Sequence, residues 1–206
     1  MKTWQPGLPD ELFFQRKPEK GLITKAEIRI LSLARMALAA ADVVWDIGTG
    51  SGAVAVEAAM LAPEGRVYAI EKNAEDVDIA RKNVEKFRLH NVEVIHGRAP
   101  QALAQVPDDP DAVFIGGSGG EMSELVGEVI ARMRPQARLV VNAITLENLA
   151  AAQQALRLSG YSYDVTLVQI ARSKPILDLV RFEALNPIFI LSTVKGGAAG
   201  QEGQRS

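Results

Sequence analysis

The stretch Val43-Val44-Trp45-Asp46-Ile47-Gly48-Thr49-Gly50-Ser51-Gly52-Ala53-Val54-Ala55-Val56-Glu57 decides the fold. It opens with a short apolar run bounded by polar residues, the mark of a parallel strand buried on both faces. It ends by starting a helix whose small apolar residues continue at Ala58, Ala59 and Ala62. Between them glycine stands at positions 48, 50 and 52. Glycine allows positive φ and lets a ligand lie against bare main chain. The helix start beyond it offers free N–H groups and the positive end of a dipole, a seat for a carboxylate or phosphate.

Two ligand classes use such a strand, glycine loop and helix. The dinucleotide form G-x-G-x-x-G/A is met loosely by Gly48, Gly50 and Ala53. The form D-x-G-x-G-x-G is met in full by Asp46, Gly48, Gly50 and Gly52, and it resembles the S-adenosylmethionine-binding loop of class I methyltransferases. That resemblance implies that the glycine backbone holds the methionine part of the cofactor. It also implies that Asp46 orients the loop and the ammonium group. A carboxylate at the strand end disfavours a pyrophosphate and favours an α-ammonium group. Arg66 to Glu71 reads as the second strand. Its acidic end lies roughly 20 residues beyond the loop, where a βαβ unit brings the second strand tip beside a nucleoside. Glu71 can accept from both ribose hydroxyls there.

The chain has 206 residues, 48% of them hydrophobic, enough for one domain burying about 70% of its unfolded surface. It has no cysteine, which removes disulfides, thiol nucleophiles and thiolate metal sites. His90 and His96 are the two histidines, too few for a His-rich metal site, so no metal is expected. The net charge of −2 gives no general attraction to nucleic acid or to an anionic membrane. There is no signal-like apolar segment near the N-terminus and no apolar run of ~18 residues. A soluble, cytoplasmic protein is expected.

Residues 1–22 read as an ordered arm, rich in proline and charge, with an apolar patch at Leu8, Leu12, Phe13 and Phe14. Thr24 with Glu27 has the capping-box form. Behind it Ile28, Leu31, Leu33, Ala34 and Leu38 give a helix reaching about Ala40. An amphipathic helix is predicted for Ala74 to Phe87, with Val77, Ile79, Ala80 and Val84 inward. Asn91–His96, Asp111–Ile115 and Arg138–Ala143 read as strands three to five. Glu121–Arg132 reads as a helix, and so does the segment from Thr145 to Leu158, stopped by Gly160. Tyr163–Ala171 and Ile188–Val194 read as the last two strands. The pattern therefore predicts strands alternating with helices in an α/β, Rossmann-like fold, the arrangement that the resemblance to class I methyltransferases implies. Its sheet has seven mostly parallel strands, helices on both faces and a C-terminal antiparallel hairpin. One domain over residues 1–195 and a disordered tail over 196–206 are expected.

Two further loops bear on chemistry. His96-Gly97-Arg98-Ala99-Pro100 follows the third strand, where many class I methyltransferases carry Gly-Asp-Ala for adenine. Arg98 has no acceptor to offer, so adenine recognition falls to the Ala99 main chain, and Arg98 either faces an acidic substrate or lies in solvent. Gly116-Gly117-Ser118-Gly119-Gly120 follows the fourth strand. It lacks the Asn/Asp-Pro-Pro-Tyr of amino-group methyltransferases, which argues against base N-methylation, and it leaves room for a bulky substrate.

Gly7-Leu8-Pro9-Asp10-Glu11 with Phe13, Ile23-Thr24-Lys25 with Glu27, Gly116 to Glu121, and Ile170-Ala171-Arg172 together resemble the decarboxylating precorrin C15-methyltransferases of cobalamin biosynthesis. The resemblance covers residues 7 to about 195 and is similar to the separate form of the enzyme rather than the fused one. It implies methyl transfer from S-adenosylmethionine to C15 of a precorrin, coupled to loss of CO2 from the C12 acetate. It places cofactor contacts at Thr24, Asp46, Gly48, Thr49, Gly50, Ser51, Gly52, Glu71 and Ala99. Thr24 is equally explained as a helix cap. Gly117, Ser118, Gly119, Asn142 and Arg172 are the candidate substrate contacts. Lys25, Arg29, Arg98, Arg172 and Lys174 are candidate cations for the substrate's carboxylates. The resemblance also implies a homotetramer, with Phe13-Phe14 packing between subunits. Other readings are a methyltransferase of a tRNA base or protein carboxylate, and a non-catalytic S-adenosylmethionine-binding module.

Overall fold

A computed structural model describes residues 6–16 and 23–196. The expected tail from 197 and parts of the arm lie outside the described residues. Strands β1 (Val43–Ile47), β2 (Arg66–Glu71), β3 (Val92–His96), β4 (Ala112–Ile115) and β5 (Arg138–Ala143) run parallel. With β6 (Asp164–Val168) and β9 (Ile188–Val194) they form one sheet in the order β3-β2-β1-β4-β5-β9-β6. The strand β9 runs antiparallel to both neighbours. The order reverses between β1 and β4, and in open α/β sheets the ligand crevice lies at such a reversal, beyond the carboxyl ends of the strands.

Helix α1 (Ala26–Met36) and helix α2 (Ala53–Leu61) cover one face, against Val44, Val67, Ala69, Phe114 and Val140. Helix α4 (Met122–Arg132) and helix α5 (Leu146–Leu158) cover the other, against Trp45, Ile47, Ile70, Ile115 and Val141. The central strands alternate between two apolar faces, which is why they read as unbroken hydrophobic runs. Helix α3 (Ala74–Lys86) buries Val77 and Ala80, with Ile79 only partly covered. Thr145 caps α5 by accepting from the Asn148 N–H, as expected.

Four expectations are corrected. Thr24 does not cap α1: the N-cap position is Lys25, and the free N–H of Ala26 donates to the Asp10 carboxylate at 3.0 Å. The helix ends at Met36, not Ala40, and its inward face is Ile28, Arg29, Ser32, Leu33 and Met36, while Leu31 and Ala34 face solvent. Phe13 is not an intersubunit residue: it is buried within its own chain, its ring 5.2 Å from Phe87. The segment 163–171 is not one strand. A separate ribbon of β7 (Ala171–Ile176) and β8 (Leu179–Ala184) stands between β6 and β9 in the chain. Its turn carries Leu177 at φ 52° with no glycine or asparagine, and Pro175 sits within β7, so the usual sequence signs of a hairpin are missing.

The inward Arg29 explains the arm. Its side chain is fully buried, bonded by Nε to Glu57 at 3.0 Å and by Nη1 to Asp10 at 2.9 Å. It also donates to the Thr24 and Leu8 carbonyls and stacks on the Phe13 ring at 4.9 Å. Glu57, fully buried in α2, accepts from the Gly7 and Leu8 N–H groups at 2.8 and 2.9 Å. Arg29 is therefore structural, not a substrate cation. Removing one partner of such a network leaves buried carboxylates uncompensated, and Arg29→Met should cost about 3–5 kcal/mol in urea unfolding. A loss under about 1 kcal/mol would show that the network holds nothing together.

Candidate functional site

The ends of β1, β2 and β4 surround a cleft of about 650 Å³. Thr24, Gly48, Thr49, Gly50, Glu71, Ala99, Gly117, Ser118, Gly119 and Asn142 all line it, drawn from six separate stretches of sequence. Asp46, Ser51 and Gly52 do not. They stand behind the loop and shape it.

Gly48, Gly50 and Gly52 take φ of 72°, 54° and 77°, in the region that only glycine enters without strain. Space is tighter still at Gly48. A Cβ there would lie 2.7 Å from the Gly117 carbonyl oxygen and 2.8 Å from its nitrogen. The Gly116 N–H donates to the Ile47 carbonyl at 2.9 Å. The two glycine loops thus touch backbone to backbone at the tips of neighbouring strands. The loop's N–H groups are less available than the sequence suggests. Those of Gly48 and Thr49 donate to the Ile70 carbonyl, and that of Gly50 donates to Glu71 Oε2 at 3.0 Å. What the loop offers a ligand is bare main-chain surface.

Glu71 is buried, and its other oxygen accepts from the Asn73 N–H at 3.0 Å. Two N–H donors fix the carboxylate, and its remaining lone pairs stay free for two hydroxyls. Asp46 is fully buried. Its Oδ2 accepts from the Thr49 hydroxyl at 2.5 Å, while Oδ1 has no partner among the described residues. Burial pushes its carboxyl up to about 7 against the pull of the Thr49 hydrogen bond. The Ser51 hydroxyl is likewise buried without a partner among the described residues.

Asn142, at the end of β5, has its amide against the Ser32 hydroxyl of α1 at 3.0 Å. Arg98 lines the cleft, bonded to Glu121 Oε2 at 3.1 Å and to the Gly119 carbonyl at 2.9 Å. It ties down the second glycine loop while its side chain remains about half exposed to solvent. Lys25 also lines the cleft, 3.9 Å from Asp10. Arg172 and Lys174 do not line it. Arg172 is taken by Glu27 and Asp10, which hold its guanidinium charged and pull Glu27 below the usual carboxylate range. Lys174 pairs with Glu183 across the ribbon. Lys72 and Asp76 line the cleft too and were missed, because a lysine just past a strand end reads as an ordinary solvated residue. No group of three or more potential metal-ligating side chains gathers among the described residues.

The model of the precorrin methyltransferase domain matches residues 15–195. The chain belongs to the precorrin methyltransferase family. A probable cobalt-precorrin-6B C(15)-methyltransferase (decarboxylating) of Sulfurisphaera tokodaii is 41% identical over 187 residues, 90% of this chain and 96% of the relative. The cobalt-precorrin-6B C(15)-methyltransferase (decarboxylating) of Salmonella typhi is 31% identical, with 91% and 96% covered. Among solved structures, precorrin-6y C5,15-methyltransferase of Geobacter metallireducens superposes with a TM-score of 0.86 at 38% identity, covering 92% of this chain and 98% of the other. The precorrin 8W decarboxylase of Methanobacterium thermoautotrophicum gives 0.83 at 32%, covering 90% and 98%. A tRNA (m1A58) methyltransferase of Aquifex aeolicus, at 20% identity and 0.74, shares the fold alone. The family member described here is thus a class I methyltransferase, an enzyme dependent on S-adenosylmethionine. Its cleft fits that cofactor: a backbone cradle that a Cβ would fill, and a fixed carboxylate beside it.

Two measurements check the geometry. Gly48→Ala, strained at φ 72° and pressed on Gly117, should abolish measurable cofactor binding in calorimetry while leaving a folded chain. The raised Asp46 carboxyl makes the folded state hold a proton that the unfolded state releases between about pH 4 and 7. Its contribution is full below pH 4 and is lost as pH rises to 7, on the order of 4 kcal/mol for this group alone. Asp46→Asn should therefore gain stability relative to the parent chain as pH rises through that window. A constant difference between the two unfolding curves would contradict the burial.

Proposed function

We propose that this chain methylates C15 of a cobalt-precorrin-6B-type tetrapyrrole and releases CO2 from the C12 acetate of the same molecule. The observation that carries the reading is Glu71, its carboxylate fixed by two N–H groups beside a glycine loop whose bare backbone faces the cleft. S-adenosylmethionine, when bound, supplies an electrophilic methyl group on a sulfonium. Gly48, Thr49 and Gly50 hold its amino-acid part with support from Asp46, Ser51 and Gly52 behind them. Glu71 accepts from the ribose hydroxyls, the Ala99 main chain faces the adenine, and Thr24 closes the near lip.

Gly117, Ser118 and Gly119 hold the tetrapyrrole face close to the methyl group, with Asn142 beside them. A side chain at either glycine would occupy that approach. Methyl transfer to an electron-rich ring carbon needs alignment more than a strong base, and among the described residues the cleft lining holds only Glu71 and Asp76 as carboxylates. In the decarboxylation the C–CO2 bonding pair enters the conjugated ring and a solvent proton completes the new methyl group.

The wider setting follows. The β7–β8 ribbon leaves Leu177, Leu179, Val180 and Phe182 bare, Leu177 at 95% exposure. Such a patch suits burial against further copies, and we read the enzyme as a homotetramer acting in the cytoplasm on a small-molecule substrate, with no nucleic-acid partner. No helix among the described residues is long and apolar enough to cross a membrane.

The test is mass spectrometry of the protein incubated with S-adenosylmethionine and the C15-unmethylated precorrin, with and without cobalt. The expected product is heavier by one methyl group and lighter by CO2; an unchanged substrate with cofactor bound overturns the reading. Glu71→Ala should weaken S-adenosylhomocysteine binding by about 1–3 kcal/mol in calorimetry, and an unchanged affinity would remove Glu71 from the site.

A further inference from the structure

Among the described residues, the cations along the cleft have carboxylate partners, with one exception. Arg16 lies 3.6 Å from Asp76 and 3.8 Å from Glu75, Lys25 lies 3.9 Å from Asp10, and Arg98 lies 3.1 Å from Glu121. Lys72 lines the same cleft and has no carboxylate within 4.0 Å among the described residues. Its backbone is nonetheless fixed. The Lys72 carbonyl meets His96 Nε2 at 3.1 Å, and the next N–H, of Asn73, is held by Glu71.

From that anchor at the tip of β2 the side chain reaches the loop after β4, with β1 between the two strands in the sheet. The ammonium lies 3.1 Å from where a Cβ on Gly119 would stand, and Arg98 Cζ and Nη2 lie 3.7 Å from the same point. Two cations therefore converge on one glycine, and of the two only Arg98 has a carboxylate partner among the described residues, Glu121. Like charges held this close are costly until an anion joins them. The glycine at 119 leaves room for that anion.

We propose that Lys72 and Arg98 form a carboxylate-binding subsite at the cleft mouth that takes an acidic side arm of the substrate. Arg98 holds the loop by its carbonyl, and Lys72 supplies the uncompensated charge as a compact ammonium with three donors. The inference rests on the tetrapyrrole reading above, whose substrate carries many carboxylates. It assigns one of them a seat.

Lys72→Gln removes the charge and keeps an unbranched polar side chain. It should raise the substrate KM roughly 10-fold, the scale of a charge-assisted hydrogen bond, with kcat within about twofold. Lys72→Arg should recover most of the loss. The affinity for S-adenosylhomocysteine, measured by calorimetry, should not move in either variant. A substrate KM within about twofold of the parent would overturn the proposal. So would a fall in S-adenosylhomocysteine affinity, which would give Lys72 to the cofactor's own carboxylate. Turnover by the parent chain tests the tetrapyrrole reading separately. If the parent proves inert, fluorescence titration with uroporphyrin, a polycarboxylate tetrapyrrole, still tests the subsite: Lys72→Gln must bind it about 10-fold more weakly, and equal binding refutes it.

Discussion

Everything around the cleft depends on how closely two backbones approach at the tips of β1 and β4. These strands are neighbours, so the loops that leave them must diverge within a single strand spacing of about 5 Å. Gly48 and Gly117 solve this by having no side chains, and the Gly116 N–H donates to the Ile47 carbonyl at the point of divergence. The reversal of strand order opens the crevice, and the glycines of the paired loops leave much of its floor as bare main chain. Around that floor stand polar side chains, among them Glu71, Asn142, Arg98 and Lys72.

A second layer of charge holds the rim in place from behind. Asp10 takes bonds from the Ala26 N–H, Arg29 and Arg172, so one carboxylate joins the arm, α1 and the β7–β8 ribbon. Glu57 ties the arm to α2 through two backbone N–H groups. Charges buried this deeply are tolerated because nearly every donor and acceptor is used. Thr24 and Lys25, which line the cleft, sit directly on this network. The position of the near lip is thus decided by ion pairs with no place on the cleft wall.

The sequence made the cleft's strand tips legible because their signals are local. An apolar run, alternating glycines and a terminal acid roughly 20 residues on fall within one βαβ unit, and the structure brings Gly48, Gly50 and Glu71 together on one wall. What stayed hidden depends on partners distant in the chain. Arg29 reads as a surface residue until Asp10 and Glu57 surround it, and Asp10, not Thr24, meets the first helical N–H because the arm folds back 16 residues. Arg172 was read as a substrate cation because nothing nearby in sequence announces Glu27, 145 residues away, as its partner. The β7–β8 turn escaped notice because Leu177 adopts its positive φ without the residues that usually mark one.

The placement of β9 bears on how the chain comes to be folded. Among the described residues it is the last strand in sequence, yet it lies between β5 and β6, pairing Arg138 with Val194 and Asp164 with Ser192. Until it is made, β5 presents an unpaired edge carrying Leu139, Val140 and Val141, and β6 has no sheet to join. During synthesis from the N-terminus, the half of the sheet that holds the glycine loops can assemble first, while the other half waits for the final strand. Such an edge is a template for pairing with a second nascent chain. The late keystone leaves the growing protein most vulnerable to aggregation in the interval before β9 emerges.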